Sequence, residues 1–271
     1  MTAIQLAATE YGEGPPVAIL HGLFGSGRNW RSIAQRLASR HRVLAFDLRN
    51  HGASPWADKM SYREMVDDLH ASLRERGITQ TSLLGHSMGG KVAMLAALLH
   101  PGEVGCLIVV DIAPVPNPPT LLGYVRAMRG IDLHGATRRS EVDARLSEPI
   151  PDAAQRAFLL QNLVIEDGKL RWSLNLEAIE REFPKILEFP SLPAGTAYRG
   201  PTLFVAGANS DYIRPGDKPE IRRLFPQARI IRVKGAGHWV HAEQQQIFLQ
   251  IVGPFLSSPP NLARTRSASL K

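Results

Sequence analysis

The stretch Thr81 to His100, TSLLGHSMGGKVAMLAALLH, limits what this chain can fold into more than any other. A short apolar run, Ser82-Leu83-Leu84, stops at Gly85-His86-Ser87-Met88-Gly89, and a strongly helical segment, Lys91 to Leu99, follows before Pro101. Strand, tight turn and helix in that order are the context that a G-x-S-x-G nucleophile elbow requires. The serine must sit at a strained backbone angle for its hydroxyl to stand clear of the strand end. Glycines two before and two after it leave room where a Cβ would collide with the neighbouring strand and helix. The helix also points the positive end of its dipole at the turn, where an oxyanion would form. Ser87 is therefore the candidate nucleophile.

Composition sets the outer limits. A chain of 271 residues, 44% hydrophobic and 21% charged, holds enough apolar material for one large α/β core. A net charge of +7 raises the question of an anionic partner. Part of that excess lies at the end of the chain, in Arg264, Arg266 and Lys271, and the other basic residues (among them Arg28, Arg31, Arg36, Arg138, Arg222) are scattered. No aromatic side chains interleave with them as on a nucleic-acid surface, so no nucleic-acid partner is expected. Cys106 is the single cysteine, which leaves no intrachain disulfide and no Cys-based zinc site; beside Leu107 to Val110 it reads as a buried thiol. No basic segment followed by an apolar one opens the chain, and no run reaches the ~18 apolar residues of a membrane span. A cytoplasmic protein with no membrane span is the expectation.

Along the chain, Ile4 to Ala8, Val17 to Leu20, Arg42 to Phe46 and Leu107 to Asp111 read as further strands, and Trp30 to Leu37 and Ser61 to Arg76 as helices. The second helix has Ser61 as N-cap with Glu64 three residues on, and Gly77 stops it. Apolar strands alternating with helices predict a mostly parallel sheet with helices on both faces. From Pro114 to about Ala197 the pattern becomes helical, with stretches such as Leu121 to Met128, Glu141 to Leu146 and Ala153 to Val164 and no clear buried strand; strands resume at Thr202 to Ala206 and Arg229 to Val233. The expected organisation is an α/β core formed by 1–113 and 197–256, a helical lid inserted over 114–196, and a disordered Pro/Ser-rich tail over 257–271.

A serine hydroxyl is a poor nucleophile at its own pKa, so Ser87 needs a base and the base needs an orienting acid. His238, in the glycine-rich Gly235-Ala236-Gly237-His238-Trp239 after the last strand, is the candidate base; His241 is the nearest competitor and suits a packing or hydrogen-bonding role better. His21, His51 and His86 lie inside turn motifs, where a structural role is the default. Two carboxylates compete as the acid: Asp111, at the end of the strand after the nucleophile helix, and Asp211, in Gly207-Ala208-Asn209-Ser210-Asp211. The backbone N–H of Met88 is one candidate oxyanion donor, and that of Leu23, with Phe24 as its neighbour, is the other. Leu121, Leu122, Val125, Met128, Phe158 and Leu159 are candidate pocket walls or lid core. Lys91, one turn past the serine, is expected to face structure or solvent.

The stretches HGLFGSGRNW, DLRNHGASP, GHSMGGKVAM, VVDIAPV, GANSDYI and GAGHWVHAE, spread from about Gly14 to Leu256, resemble the α/β-hydrolase superfamily. More narrowly they resemble the small bacterial esterases related to abhydrolase-domain-containing protein eleven. The resemblance implies a serine carboxylester hydrolase with Ser87 as nucleophile and His238 as base. It leans toward Asp111, since close relatives keep the aspartate of DIAPV and many lack an acid where Asp211 stands. The wider superfamily places its acid after the strand preceding Asp211, which keeps Asp211 as the rival. It also implies about seven strands, without the usual edge strand. The expected reaction is hydrolysis of a small acyl ester or thioester through an acyl-enzyme, with no metal or organic cofactor and that small-molecule substrate as the partner. Acyltransfer, C–C hydrolysis, perhydrolysis and a ligand-sensing receptor on the same scaffold are the alternatives. The oligomeric state does not follow from the sequence.

Overall fold

The computed structural model describes residues 3–257. The first half alternates strand and helix: β1 (Ala8–Tyr11), β2 (Pro16–Leu20), α1 (Arg31–Leu37), β3 (Arg42–Phe46), α2 (Tyr62–Glu75), β4 (Thr81–His86), α3 (Met88–Leu99) and β5 (Val104–Val110). An insertion follows, with α4 (Leu122–Gly130), α5 (Arg139–Leu146), α6 (Ala153–Leu159), β6 (Leu163–Glu166), β7 (Lys169–Trp172) and α7 (Leu176–Leu187). The chain then returns through β8 (Thr202–Gly207), α8 (Lys218–Leu224), β9 (Ala228–Val233), α9 (Val240–Glu243) and α10 (Gln245–Ser257). The tail expected from 257 onward lies outside the described residues, apart from Ser257, which closes α10.

Seven strands form one sheet in the order β1-β3-β2-β4-β5-β8-β9, parallel except for β1, which runs antiparallel to β3 at the edge. Both faces are apolar, as a sheet covered by helices on both sides demands. Successive side chains go to opposite layers. Val17 and Ile19 of β2, Leu84 of β4, and Cys106, Ile108 and Val110 of β5 pack with α1 and α10. Ala18, Leu20, Leu83, Leu107 and Val109 pack with α2, α3 and the insertion. Cys106 is buried and donates weakly to Ser82 Oγ at 3.3 Å. α3 is apolar on every side and buried over nearly its whole length, because it lies between the sheet and the second helical layer.

The order of the strands reverses between β2 and β4. Loops leaving the C-terminal ends of these two strands diverge there and open the crevice where ligands of open α/β sheets bind. One expectation about the first strand is corrected. Residues 4–6 do not pair with the sheet, and residue 7 does so only through its carbonyl, which accepts from Asp47 N at 2.9 Å. The Ile4 and Leu6 amides donate to Asp68 Oδ1 and Ser72 Oγ of α2, each at 2.8 Å, and Ala7 N donates to Ser54 Oγ at 2.9 Å. With those donors satisfied by side chains, the strand begins only at Ala8.

The insertion is also less purely helical than expected. The helix predicted over Ala153 to Val164 ends at Leu159, passes through a 3-10 turn, and enters a separate antiparallel hairpin of β6 and β7. Asp167 and Gly168 form its two-residue turn with φ of 50° and 73°, the left-handed pair that matches the twist of a tight hairpin. Val125, Met128, Ile179 and Phe183 of the insertion belong to the same buried cluster as Leu83, Val92 and Phe204 of the core.

Candidate active site

Ser87 sits between β4 and α3 with φ 51° and ψ −121°, a conformation L-residues rarely adopt. The glycines beside it explain how the turn fits. A Cβ on Gly85 would lie 2.2 Å from the Gly89 carbonyl oxygen, and one on Gly89 2.4 Å from that of Leu20. Ser87 N donates to Val110 O at 3.0 Å, tying the turn to β5. The residue is 8% exposed and lines a cavity with Leu23, His238, Trp239, Tyr212 and Phe158.

The structure brings His238 and Asp111 together across 127 residues of sequence. His238 Nδ1 donates to Asp111 Oδ2 at 2.8 Å, and His238 Nε2 has no partner among the described residues. The Asp111 carboxylate is fully buried and further held by Gly207 N, which donates to Oδ1 at 2.9 Å, and by the Ser210 hydroxyl on Oδ2. Asp211, one residue beyond Ser210, is exposed; only its backbone carbonyl is engaged, accepting from Arg214 Nε at 3.1 Å. Asp211 and His238 make no hydrogen bond. The Ser87 hydroxyl makes none to His238 in this structure either, though both line one cavity; such bonds commonly tighten only with substrate in place.

Around this pair the remaining imidazoles are neutral supports. Burial pulls His21 down to about 4, and burial aided by its neighbour His21 pulls His51 down to about 3. Each donates from Nδ1 to a backbone carbonyl, His21 to Gly22 O at 2.8 Å and His51 to Arg49 O at 2.9 Å. Each therefore accepts at Nε2: His21 from Leu48 N at 2.9 Å and His51 from Phe24 N at 3.4 Å. His86 Nε2 donates to the His238 carbonyl at 2.9 Å, and burial holds His86 well below the ordinary imidazole range. His241 stacks on Trp30 with ring centroids 4.0 Å apart, and burial, then the proximity of His238, lowers it to about 3.

These bonds distinguish the candidate oxyanion donors. The His21–Gly25 turn is closed by Gly25 N on Gly22 O at 2.9 Å, with Phe24 at φ 63°. His51 occupies the Phe24 amide, whereas the amides of Leu23 and Met88 have no partner among the described residues. Of the candidate walls, Leu121 and Phe158 line the cavity, while Val125, Met128 and Leu159 are fully buried in the core and Leu122 packs against it. Sequence reasoning missed Tyr124 and Gln155 on the insertion, and Tyr212, which stacks on His238 at 4.0 Å between centroids. Nothing in their local sequence marks them. Lys91 faces structure, and burial lowers it to about 7.

A parallel sheet carrying a G-x-S-x-G elbow at its reversal point, with an imidazole and a carboxylate delivered from later strand ends, defines an α/β hydrolase. Residues 15–245 match the family model described as alpha/beta hydrolase fold, and the chain belongs to that family. Within it the chain is closely related to ABHD11-like esterases and lipases. It is 43% identical over 251 residues to the sn-1-specific diacylglycerol lipase ABHD11 of Mus musculus, covering 90% of this chain and 81% of that protein. It is 32% identical over 243 residues to the esterase YbfF of Escherichia coli (strain K12), covering 89% and 93%. A solved marine microorganism esterase superposes with a TM-score of 0.91 at 40% identity, covering 94% of this chain and all of that one. The protein is thus a serine-type hydrolase of ester or thioester bonds. Among the described residues no helix is long and apolar enough to cross a membrane.

Proposed function

We propose that Ser87 attacks the acyl carbon of a small, uncharged ester, with His238 as general base, Asp111 as the orienting acid, and the amides of Leu23 and Met88 as the oxyanion hole. The bond from His238 to the buried Asp111 carboxylate carries this reading, since it fixes the tautomer that leaves Nε2 free for the serine proton. In the first half-reaction the Ser87 proton passes to Nε2 as the Oγ–C bond forms. The imidazolium returns it to the leaving alcohol as the tetrahedral species collapses to an acyl-enzyme. Water, deprotonated by the same nitrogen, then releases the acid. Two preorganised amides stabilise the oxyanion by roughly 3 kcal/mol each.

Two features support an uncharged substrate. The residues lining the main cavity include no lysine or arginine to hold a phosphate or carboxylate, and its walls are largely aromatic and apolar. Lys91, which lines a neighbouring cleft that also reaches Ser87, donates to main-chain carbonyls instead. The segment 114–196 acts as the lid that sets acyl length, through Leu121, Tyr124 and Phe158. Acylglycerols, which the mouse relative is named for, belong in the test set beside short p-nitrophenyl esters and acyl-CoAs. In that set Ser87→Ala and His238→Ala abolish turnover, Asp111→Asn lowers kcat by ~10⁴, and Asp211→Asn leaves it within about twofold. Full turnover by Ser87→Ala, or a collapse of kcat at Asp211 rather than Asp111, overturns the assignment.

A further inference from the structure

Lys91 is one helical turn beyond Ser87, and its buried side chain makes no direct ion pair among the described residues, although the nearby Glu188 charge favours its protonated form. Only 1% of the residue is exposed. Its Nζ donates to two main-chain carbonyls, Leu187 O at 2.7 Å and Glu188 O at 3.0 Å, and lies 5.7 Å from the centre of the Tyr62 ring. Tyr62, on α2, donates through its hydroxyl to the next carbonyl back, Ile186 O, at 2.7 Å. Leu187 O also accepts from Asn117 N at 2.9 Å, at the entry of the insertion. Ile186 and Leu187 are the last residues of α7, whose final carbonyls have no partner within the helix and carry the negative end of its dipole. The Lys91 amino group donates into that end of the helix and lies over a ring face. Lys91, Tyr62, Ile186 and Leu187, with Met88 and Phe183, line a small cleft that also reaches Ser87 and shares Leu23 and Leu121 with the main cavity.

We infer that Lys91, backed by Tyr62, is a positioning residue that clamps the C-terminal end of α7 to the nucleophile helix and so holds the wall of this second cleft beside Ser87. The inference rests on Ser87 being the nucleophile. It assigns Lys91 no part in proton transfer. A clamp of this kind acts on how substrate is seated and on how firmly the insertion is closed.

The test compares wild type with Lys91→Met, Lys91→Arg and Tyr62→Phe, in kcat and KM for p-nitrophenyl esters of increasing chain length and in limited proteolysis of the insertion. Loss of the charged hydrogen bonds in Lys91→Met raises KM by about tenfold, with kcat within about threefold of wild type, and speeds cleavage after α7. Lys91→Arg recovers much of the KM, and Tyr62→Phe, which keeps the ring, gives the same changes in smaller measure. The inference is overturned if Lys91→Met and Tyr62→Phe leave both KM and proteolysis at wild-type values. It is equally overturned if Lys91→Met lowers kcat uniformly with KM unchanged. If Lys91→Met does not fold, Tyr62→Phe and Lys91→Arg decide by the same two readouts. Turnover retained by Ser87→Ala removes the underlying reading instead, and the proteolysis result is independent of that outcome.

Discussion

Asp111 shows how much of this site is held by single atoms. Its two carboxylate oxygens are shared among His238, Ser210 and the Gly207 amide, and its own backbone is in the left-handed region at φ 51°. Aspartate tolerates that region better than most residues. Ser210→Ala removes one hydrogen bond to the carboxylate, worth about 1.5–3 kcal/mol when the acceptor is charged. We expect kcat to fall by tenfold or more with KM little changed, read by steady-state kinetics on a p-nitrophenyl ester. A second residue-scale case is the buried pair of Arg49 and Asp68, which meet through Nε–Oδ2 at 2.6 Å and Nη2–Oδ1 at 2.7 Å. Asp68→Ala leaves the buried guanidinium only the longer carboxylate contact, to Glu64 Oε2 at 3.9 Å, and costs about 3 kcal/mol. Urea denaturation checks this, and a loss below ~1 kcal/mol would show that Lys59 O, the Glu64 carbonyl and the Glu64 carboxylate satisfy Arg49 well enough without Asp68.

At the scale of elements, the elbow and the hairpin pose the same backbone problem in different surroundings. Gly85 has no room for a Cβ, so Gly85→Ala must push β4 from α3 and displace Ser87. Gly168 is in open space, with nothing within 4 Å of a built Cβ, but its φ is +73°. Gly168→Ala therefore costs only the left-handed penalty of about 1–2 kcal/mol and leaves esterase activity intact. Thermal melts paired with activity assays separate the two: Gly85→Ala loses both, Gly168→Ala only some stability. The hairpin was missed in the sequence, although Asp167-Gly168 between Val164-Ile165 and Leu170-Trp172 is a strong short-range turn signal. It is obscured by an apolar run, Phe158 to Val164, that suits a helix as well as a short strand. Strands β2, β3 and β8, by contrast, were readable to within one residue at either end because both their faces are buried and their apolar runs are unbroken.

For the whole molecule, the neutral imidazoles beneath the site predict its response to acid. The unfolded chain protonates His21, His51 and His241 below pH 6.5, while the folded chain refuses those protons until about 4, 3 and 3. The unfolded state thus binds more protons in that window, so stability rises with pH and falls as pH drops from 6.5 toward 4. Each histidine contributes up to about 1.4 kcal/mol per pH unit. Urea midpoints at pH 7.5, 6.5, 5.5 and 5.0 check this above the carboxylate range, and a flat midpoint from 6.5 to 5.0 would contradict it. The family, the parallel sheet and the identities of Ser87 and His238 as candidates were carried by the sequence itself, since spacing and unbroken apolar runs are local properties that survive without the fold. Only the tertiary structure put the Asp111 carboxylate, and not that of Asp211, in hydrogen-bond contact with His238, gave Lys91 its carbonyls and brought Tyr212 against His238. Each of those depends on which strand and helix ends lie side by side, and that is decided by packing between segments far apart in the chain, as with Asp111 and His238, 127 residues apart.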